Sequence, residues 1–183
     1  MPQQRTTREE WIAEGMRSLA SGGVDAVRVE AIARTLGVTK GGFYGCFADR
    51  QALLDEILDA WERILLFEPM TKIDAEPGDG RTRLRRLFDL AVASSRDMLA
   101  IELAIRVWAR RDDAVCARVS AIDDRRTAYM RSLFAEFCDD PDDIEGRCLL
   151  ASTLFIGNHL VAANHPHRAR VDVIQSALDH LLR

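Results

Sequence analysis

An all-α fold is predicted for this chain of 183 residues. Three observations carry that expectation. Apolar residues recur at i, i+3, i+4 and i+7 through most of the chain, whereas no run of alternating β-branched residues bounded by turns appears. Helix-start signals stand at Thr7 with Glu10, at Asp49 and at Asp140-Pro141. With 48% hydrophobic residues the chain can bury a sizeable core.

The first helix opens with a capping box, Thr7 followed by Glu10, and carries Ile12, Gly15, Met16 and Leu19 on one face until Gly22-Gly23 ends it. Residues 29 to 47, VEAIARTLGVTKGGFYGCF, read as a helix, a glycine turn and a second, short helix. Val29, Ile32, Ala33 and Leu36 share one face of the first of these. Gly37 supplies the left-handed turn, Val38 plugs the corner, and Thr39 is expected to N-cap the second helix with its hydroxyl. Lys40, Gly41 and Gly42 leave the first turn of that helix positive and sterically open. In a helix-turn-helix the second helix offers its N-terminal residues to the major groove of DNA, and Thr39 to Tyr44 occupy that reading position.

Asp49 N-caps a long helix through Leu53, Leu54, Ile57, Leu58, Trp61, Ile64 and Leu65, a candidate mechanical link between two parts of the protein. Pro69 to Gly80 reads as a linker. Beyond it lie a helix with Leu84, Leu87, Phe88 and Ala91 and another with Ile101, Ala104, Ile105 and Trp108. The longest stripe runs from Val115 to Phe137. Asp140-Pro141-Asp142-Asp143 then starts a helix reaching about Ala163, apolar on nearly all sides, which must be covered on several of them. Val171, Ile174, Leu178 and Leu181 mark the last helix. Paired with its copy, this final helical pair would bury its surfaces in a four-helix interface between two subunits.

The run IARTLGVTKGGFYGCF, with DRQALL at 49–54 and the capped helix upstream, resembles the TetR/AcrR family of transcriptional regulators over the first third of the chain. The resemblance implies about nine helices in two parts: a helix-turn-helix DNA-binding domain at 1–50 and a helical effector-binding and dimerisation domain at 51–183. It implies Thr39, Lys40, Gly41, Gly42 and Tyr44 as DNA-facing, Phe43 and Phe47 as packing residues, and Arg50 as a phosphate contact. It also implies a cytoplasmic homodimer, most commonly a repressor, that binds a palindromic double-stranded operator and is released by a small apolar effector. Three positions depart from the family pattern: Gly42 stands where Ser or Thr is common, Gly45 where an aromatic is common, and Cys46 where His is common. A helical adaptor without DNA binding is therefore the alternative reading.

Candidate effector contacts are Phe88, Trp108, Tyr129, Met130, Phe155 and His159, with Met98 beside them and Asn158, His159 or Arg106 as orienting polar groups. Aromatic and methionine side chains at this spacing equally suit a plain helical core. An effector wedged between these helices would shift the long helix and change the separation of the two reading helices.

Charge fits a selective rather than a coating nucleic-acid binder. The net charge is −4, but residues 1–50 hold seven basic against six acidic side chains, leaving eighteen against twenty-three for the rest. Cys46, Cys116, Cys138 and Cys148 lack CxxC spacing, and no secretory leader precedes them, so reduced thiols and no zinc site are expected. His165-Pro166-His167 has no Cys, Asp or Glu at ligand spacing. No apolar run approaches the roughly 20 residues that span a bilayer. An enzyme is not expected, since no GxSxG, HExxH or phosphate-cradling glycine loop appears, and no cofactor is implied.

Overall fold

The structure, a computed structural model, describes residues 6–93, 96–161 and 164–183, with every side chain except that of His159. No β-strand occurs among the described residues. The chain forms α1 (Arg8–Gly22), a 3-10 turn (Val24–Ala26), α2 (Val29–Thr35), α3 (Lys40–Tyr44), α4 (Arg50–Glu62), a π turn (Arg63–Phe67) and α5 (Glu68–Asp74). It continues through α6 (Gly80–Ala93), α7 (Arg96–Ala109), α8 (Asp113–Phe134), α9 (Pro141–Leu160) and α10 (Arg170–Leu181). Counting α4, the π turn and α5 as one helical run (the rod, for short, with no straightness implied) leaves nine helices among the described residues.

The expected linker is shorter than its sequence suggests, because Glu68–Asp74 is helical and Pro69 sits inside the rod. A proline lacks the N–H that would bond four residues back and its ring crowds that carbonyl. The wider hydrogen-bonding of the π turn at Arg63–Phe67, just ahead of Pro69, absorbs both defects. Only the segment from Ala75 to Asp79 remains non-helical.

Two compact units emerge. The first comprises Met1–Phe67 and Ser95–Ala121, the second Glu68–Ser94 and Ile122–Arg183. The cut expected at residue 50 falls inside the first unit, at the start of α4.

In the first unit, α1 packs on α4 and α7. Its start is fixed by the capping box, with the Glu10 N–H donating to Thr7 Oγ1 at 3.3 Å and the Thr7 N–H to Glu10 Oε2 at 2.8 Å. Trp11, Leu19, Ile32, Phe43, Leu53, Ile57 and Trp61 are fully buried. Burial of Trp61 leaves its indole N–H in need of an acceptor, and Glu102 Oε2 accepts it at 2.7 Å. Glu102 is itself buried on α7, where Arg106 balances its charge at 2.7 Å. Arg118 of α8 donates to Asp59 at 2.5 Å and Glu62 at 2.6 Å, tying α8 to α4.

In the second unit the core gathers Leu84, Phe88, Met130, Leu133, Phe134, Ile144, Cys148, Ala151, Leu178 and Leu181. Gly80 is required at the start of α6, because a Cβ there would lie 2.1 Å from the Leu133 carbonyl oxygen. Asp140 caps α9, its carboxylate accepting from the Asp142 N–H at 3.0 Å, with Pro141 in the first turn. The carbonyls at the end of α10 are satisfied by arginines from elsewhere: Arg81 donates to Leu182 O at 2.8 Å and Arg147 to Leu181 O. The expectation that α9 is covered on several sides does not hold within one chain. Leu149 is 69% exposed and Leu150 59%, beside Leu160 and Val161. The sequence-expected end of this helix near Ala163 lies outside the described residues.

Candidate nucleic-acid interface

Gly37, just beyond α2, takes φ +69°. This left-handed residue turns the chain so that the Val38 N–H bonds Ala33 O at 2.9 Å, closing the end of α2 while freeing α3 to leave at an angle. A Cβ-bearing residue is strained at that φ.

The orientation of α3 is set from behind. Phe43 is fully buried, edge-on to Trp11 at 5.3 Å and stacked on Phe47 at 5.2 Å between ring centroids. Arg8 covers the outer side of Phe47, its guanidinium 4.5 Å from the ring centroid, and donates to the Cys46 carbonyl and to Glu56. With Phe43 locked inward, helical periodicity turns Lys40, Gly41, Gly42 and Tyr44 outward. All four are exposed, Tyr44 by 56%. No heavy atom comes within 4 Å of where a Cβ on Gly42 would stand, so the surface there is open.

Two expectations need correction. Thr39 occupies the N-cap position with extended backbone, φ −83° and ψ 154°, but its hydroxyl makes no cap hydrogen bond. Main-chain geometry alone starts α3, with the Gly42 N–H bonding Thr39 O at 3.0 Å, and the Thr39 side chain stays exposed. Arg50 is part-buried: its Nε donates to Val27 O at 2.6 Å and one terminal nitrogen to Val24 O at 2.5 Å. Val24 O also accepts the Val27 N–H of the 3-10 turn at 3.2 Å, so Arg50 adds a second donor there and is held in place, leaving at most its other terminal nitrogen for a phosphate.

Sequence reasoning missed Glu30. Its carboxylate meets Lys40 Nζ at 2.5 Å, and the same Nζ lies 6.0 Å from the Tyr44 ring centroid. The hydrogen bond from Lys40 holds the Glu30 carboxyl below the usual carboxylate range, and Glu30 in turn raises the Lys40 ammonium. Ten residues separate the pair, and only the turn at Gly37 brings them together. Helical periodicity carries no signal of it.

The sequence profile described as "Bacterial regulatory proteins, tetR family" matches residues 12–57, from the middle of α1 well into α4. This segment of the chain is therefore similar to the bacterial regulatory proteins of the tetR family. Several solved structures share its fold along nearly the whole length. A protein from Saccharomonospora viridis solved in complex with choline is 18% identical, with 96% of this chain and 94% of that one covered and a TM-score of 0.78. The ketosteroid transcriptional regulator KstR2 of Mycobacterium tuberculosis is 21% identical, covering 98% and 95%, with a TM-score of 0.72. A TetR-family regulator from Bordetella parapertussis is 17% identical, covering 96% and 93%, with a TM-score of 0.69. No curated protein sequence matches the chain.

The candidate effector contacts scatter. Phe88 and Met130 are 5% and 8% exposed and belong to the core of the second unit, with Tyr129 packed against it and donating its hydroxyl to Asp74 at 2.7 Å. Phe155 is half-buried on α9. Trp108 lies in the first unit, buried on α7 with its N–H to Asp112 at 3.2 Å, so it serves that unit's packing. The His159 side chain lies outside the described residues. Of the expected orienting groups, Arg106 is bound to Glu102, and Asn158 accepts two hydrogen bonds from Arg170 at 3.0 and 2.7 Å. Among the described residues no helix is long and apolar enough to cross a membrane, and no cluster of His, Cys, Asp or Glu has the makings of a metal site.

Proposed function

We propose that this chain is a ligand-responsive repressor that binds a palindromic operator as a homodimer and is released by a small apolar molecule. The single observation that carries the DNA-binding part is the outward face of α3, where Thr39, Lys40, Gly41, Gly42 and Tyr44 are exposed above a buried Phe43. Side chains at the start of the second helix of a helix-turn-helix reach base edges and flanking phosphates. In this reading Arg50 braces the domain rather than holding the backbone, and the protein works in the cytoplasm where the operator is.

Pairing is supported by the apolar residues that one chain leaves in water: Leu149, Leu150, Leu160 and Val161 on and just past α9, and Val171 on α10. A two-fold interface lets one such patch cover its own copy. Two copies of α3 then fall in successive major grooves, about 34–36 Å apart. A small-molecule effector is supported by the fold shared with the choline complex and with the ketosteroid regulator. Tyr129 and Phe155 of the second unit are the contacts retained here. Effector and operator oppose one another through α4 by a reciprocal factor, commonly about 1–3 kcal/mol.

Selection of bound sequences from a random duplex pool tests this directly. A two-fold symmetric consensus, bound with a steep dependence on salt, is the expected result. Retention of no sequence would leave an adaptor.

A further inference from the structure

We propose that Glu30 is a specificity-determining residue: it acts as an internal counter-ion for Lys40, holding that ammonium away from the phosphates of arbitrary DNA and releasing it only to a well-fitted site. The inference rests on the reading of α3 as the DNA-facing helix.

Lys40 is the only Lys or Arg on α3, and it is exposed, so it is the one cation this helix itself offers to a ligand. Its Nζ is 2.5 Å from Glu30 Oε1 and 6.0 Å from the centroid of the Tyr44 ring, which places it between a carboxylate and an aromatic face. Both partners are open to water, with 61% of the Glu30 side chain and 51% of the Lys40 side chain exposed. An ion pair of that exposure adds little to folding. Its consequence is for ligands. A phosphate approaching Lys40 meets a nearby negative charge and must replace a partner already in place. Association with arbitrary DNA depends on the number of phosphates neutralised and counter-ions released, and a lysine already neutralised by Glu30 releases fewer. A cognate site offers base-edge acceptors as well, which compete with Glu30 by geometry rather than charge alone. Residues 1–50 carry a surplus of only one positive charge, so the state of a single lysine is a large fraction of the attraction.

The test uses the full-length chain, a random-sequence duplex of about 30 base pairs, and affinity measured across a salt series. Glu30→Gln is expected to tighten binding to random duplex about five- to tenfold at moderate salt. Its plot of log affinity against log salt should steepen by up to about 0.9. In a Lys40→Gln background the same change is expected to do nothing, which a merely structural role for Glu30 would not produce. If Glu30→Gln binds random duplex no more tightly than the parent protein, or keeps its gain without Lys40, the inference is overturned while the regulator reading stands. If neither parent nor variant binds duplex at low salt, both are overturned. Thermal melts of each variant, expected to coincide with the parent, separate a change in binding from a change in folding.

Discussion

At the scale of single residues, two side-chain environments make sharp predictions. Gly37 holds a left-handed conformation that an alanine adopts at a penalty of roughly 1–2 kcal/mol. Gly37→Ala should therefore lower the urea-unfolding free energy by about that amount, although nothing lies within 4 Å of the added methyl, so the loss is one of backbone strain. Tyr129 tests the second unit. Burial raises its phenol above the ordinary value of 10.0, and donation to Asp74 raises it further. Because the folded state holds the proton more tightly than the unfolded chain, this contribution is complete below about pH 10. It is lost as the pH climbs toward the folded-state value. Tyr129→Phe should flatten the alkaline limb of a stability-against-pH curve, and a limb of unchanged slope would show the Asp74 contact to be inconsequential. Gly37 was legible in the sequence, since a helix stripe followed by one glycine needs little else. The bond from Tyr129 to Asp74 was not, because 55 residues separate them.

At the scale of elements, helix starts were the most readable features. The Thr7 box, Asp49 and Asp140-Pro141 all cap where their local chemistry indicates, because a cap needs only the next three residues. Pro69 misled for the same local reason. A proline signals a break, and the π turn ahead of it, which lets the rod continue, has no comparable signature. The join between α4 and α7 gives this scale its own prediction. Trp61→Phe keeps an aromatic ring in the core but removes part of a fully buried side chain and leaves Glu102 without one of its donors, so a cavity cost adds to the lost hydrogen bond. A hydrogen bond to a charged group contributes about 1.5–3 kcal/mol, so chemical denaturation should show a loss of at least that size. A loss below about 0.5 kcal/mol would mean that the carboxylate is satisfied without the indole N–H, through Arg106 and its other contacts.

At the scale of the molecule, the decisive features are the exposed apolar residues of α9 and α10 and the exposed face of α3. Sequence patterning showed α9 as apolar nearly all round, yet only the fold reveals which side stays uncovered: the one bearing Leu149 and Leu150. Under the proposed pairing, replacing both with Glu should convert the dimer to a monomer in sedimentation velocity, with helical content by circular dichroism unchanged. Operator binding should fall by orders of magnitude, since a single α3 engages one half-site. A double variant that still sediments as a dimer would place the interface elsewhere.

By itself the sequence determined the helical class, the caps at Thr7, Asp49 and Asp140, the helix-turn-helix and the outward residues of α3, because these follow from spacing within a few turns of chain. Tertiary structure alone decided that Arg50 braces Val24 and Val27, that Trp108 and Tyr129 fall in different units, and that Glu30 meets Lys40. Those outcomes depend on contacts between residues distant along the chain, or on opposite sides of a turn, where helical periodicity no longer relates one position to another.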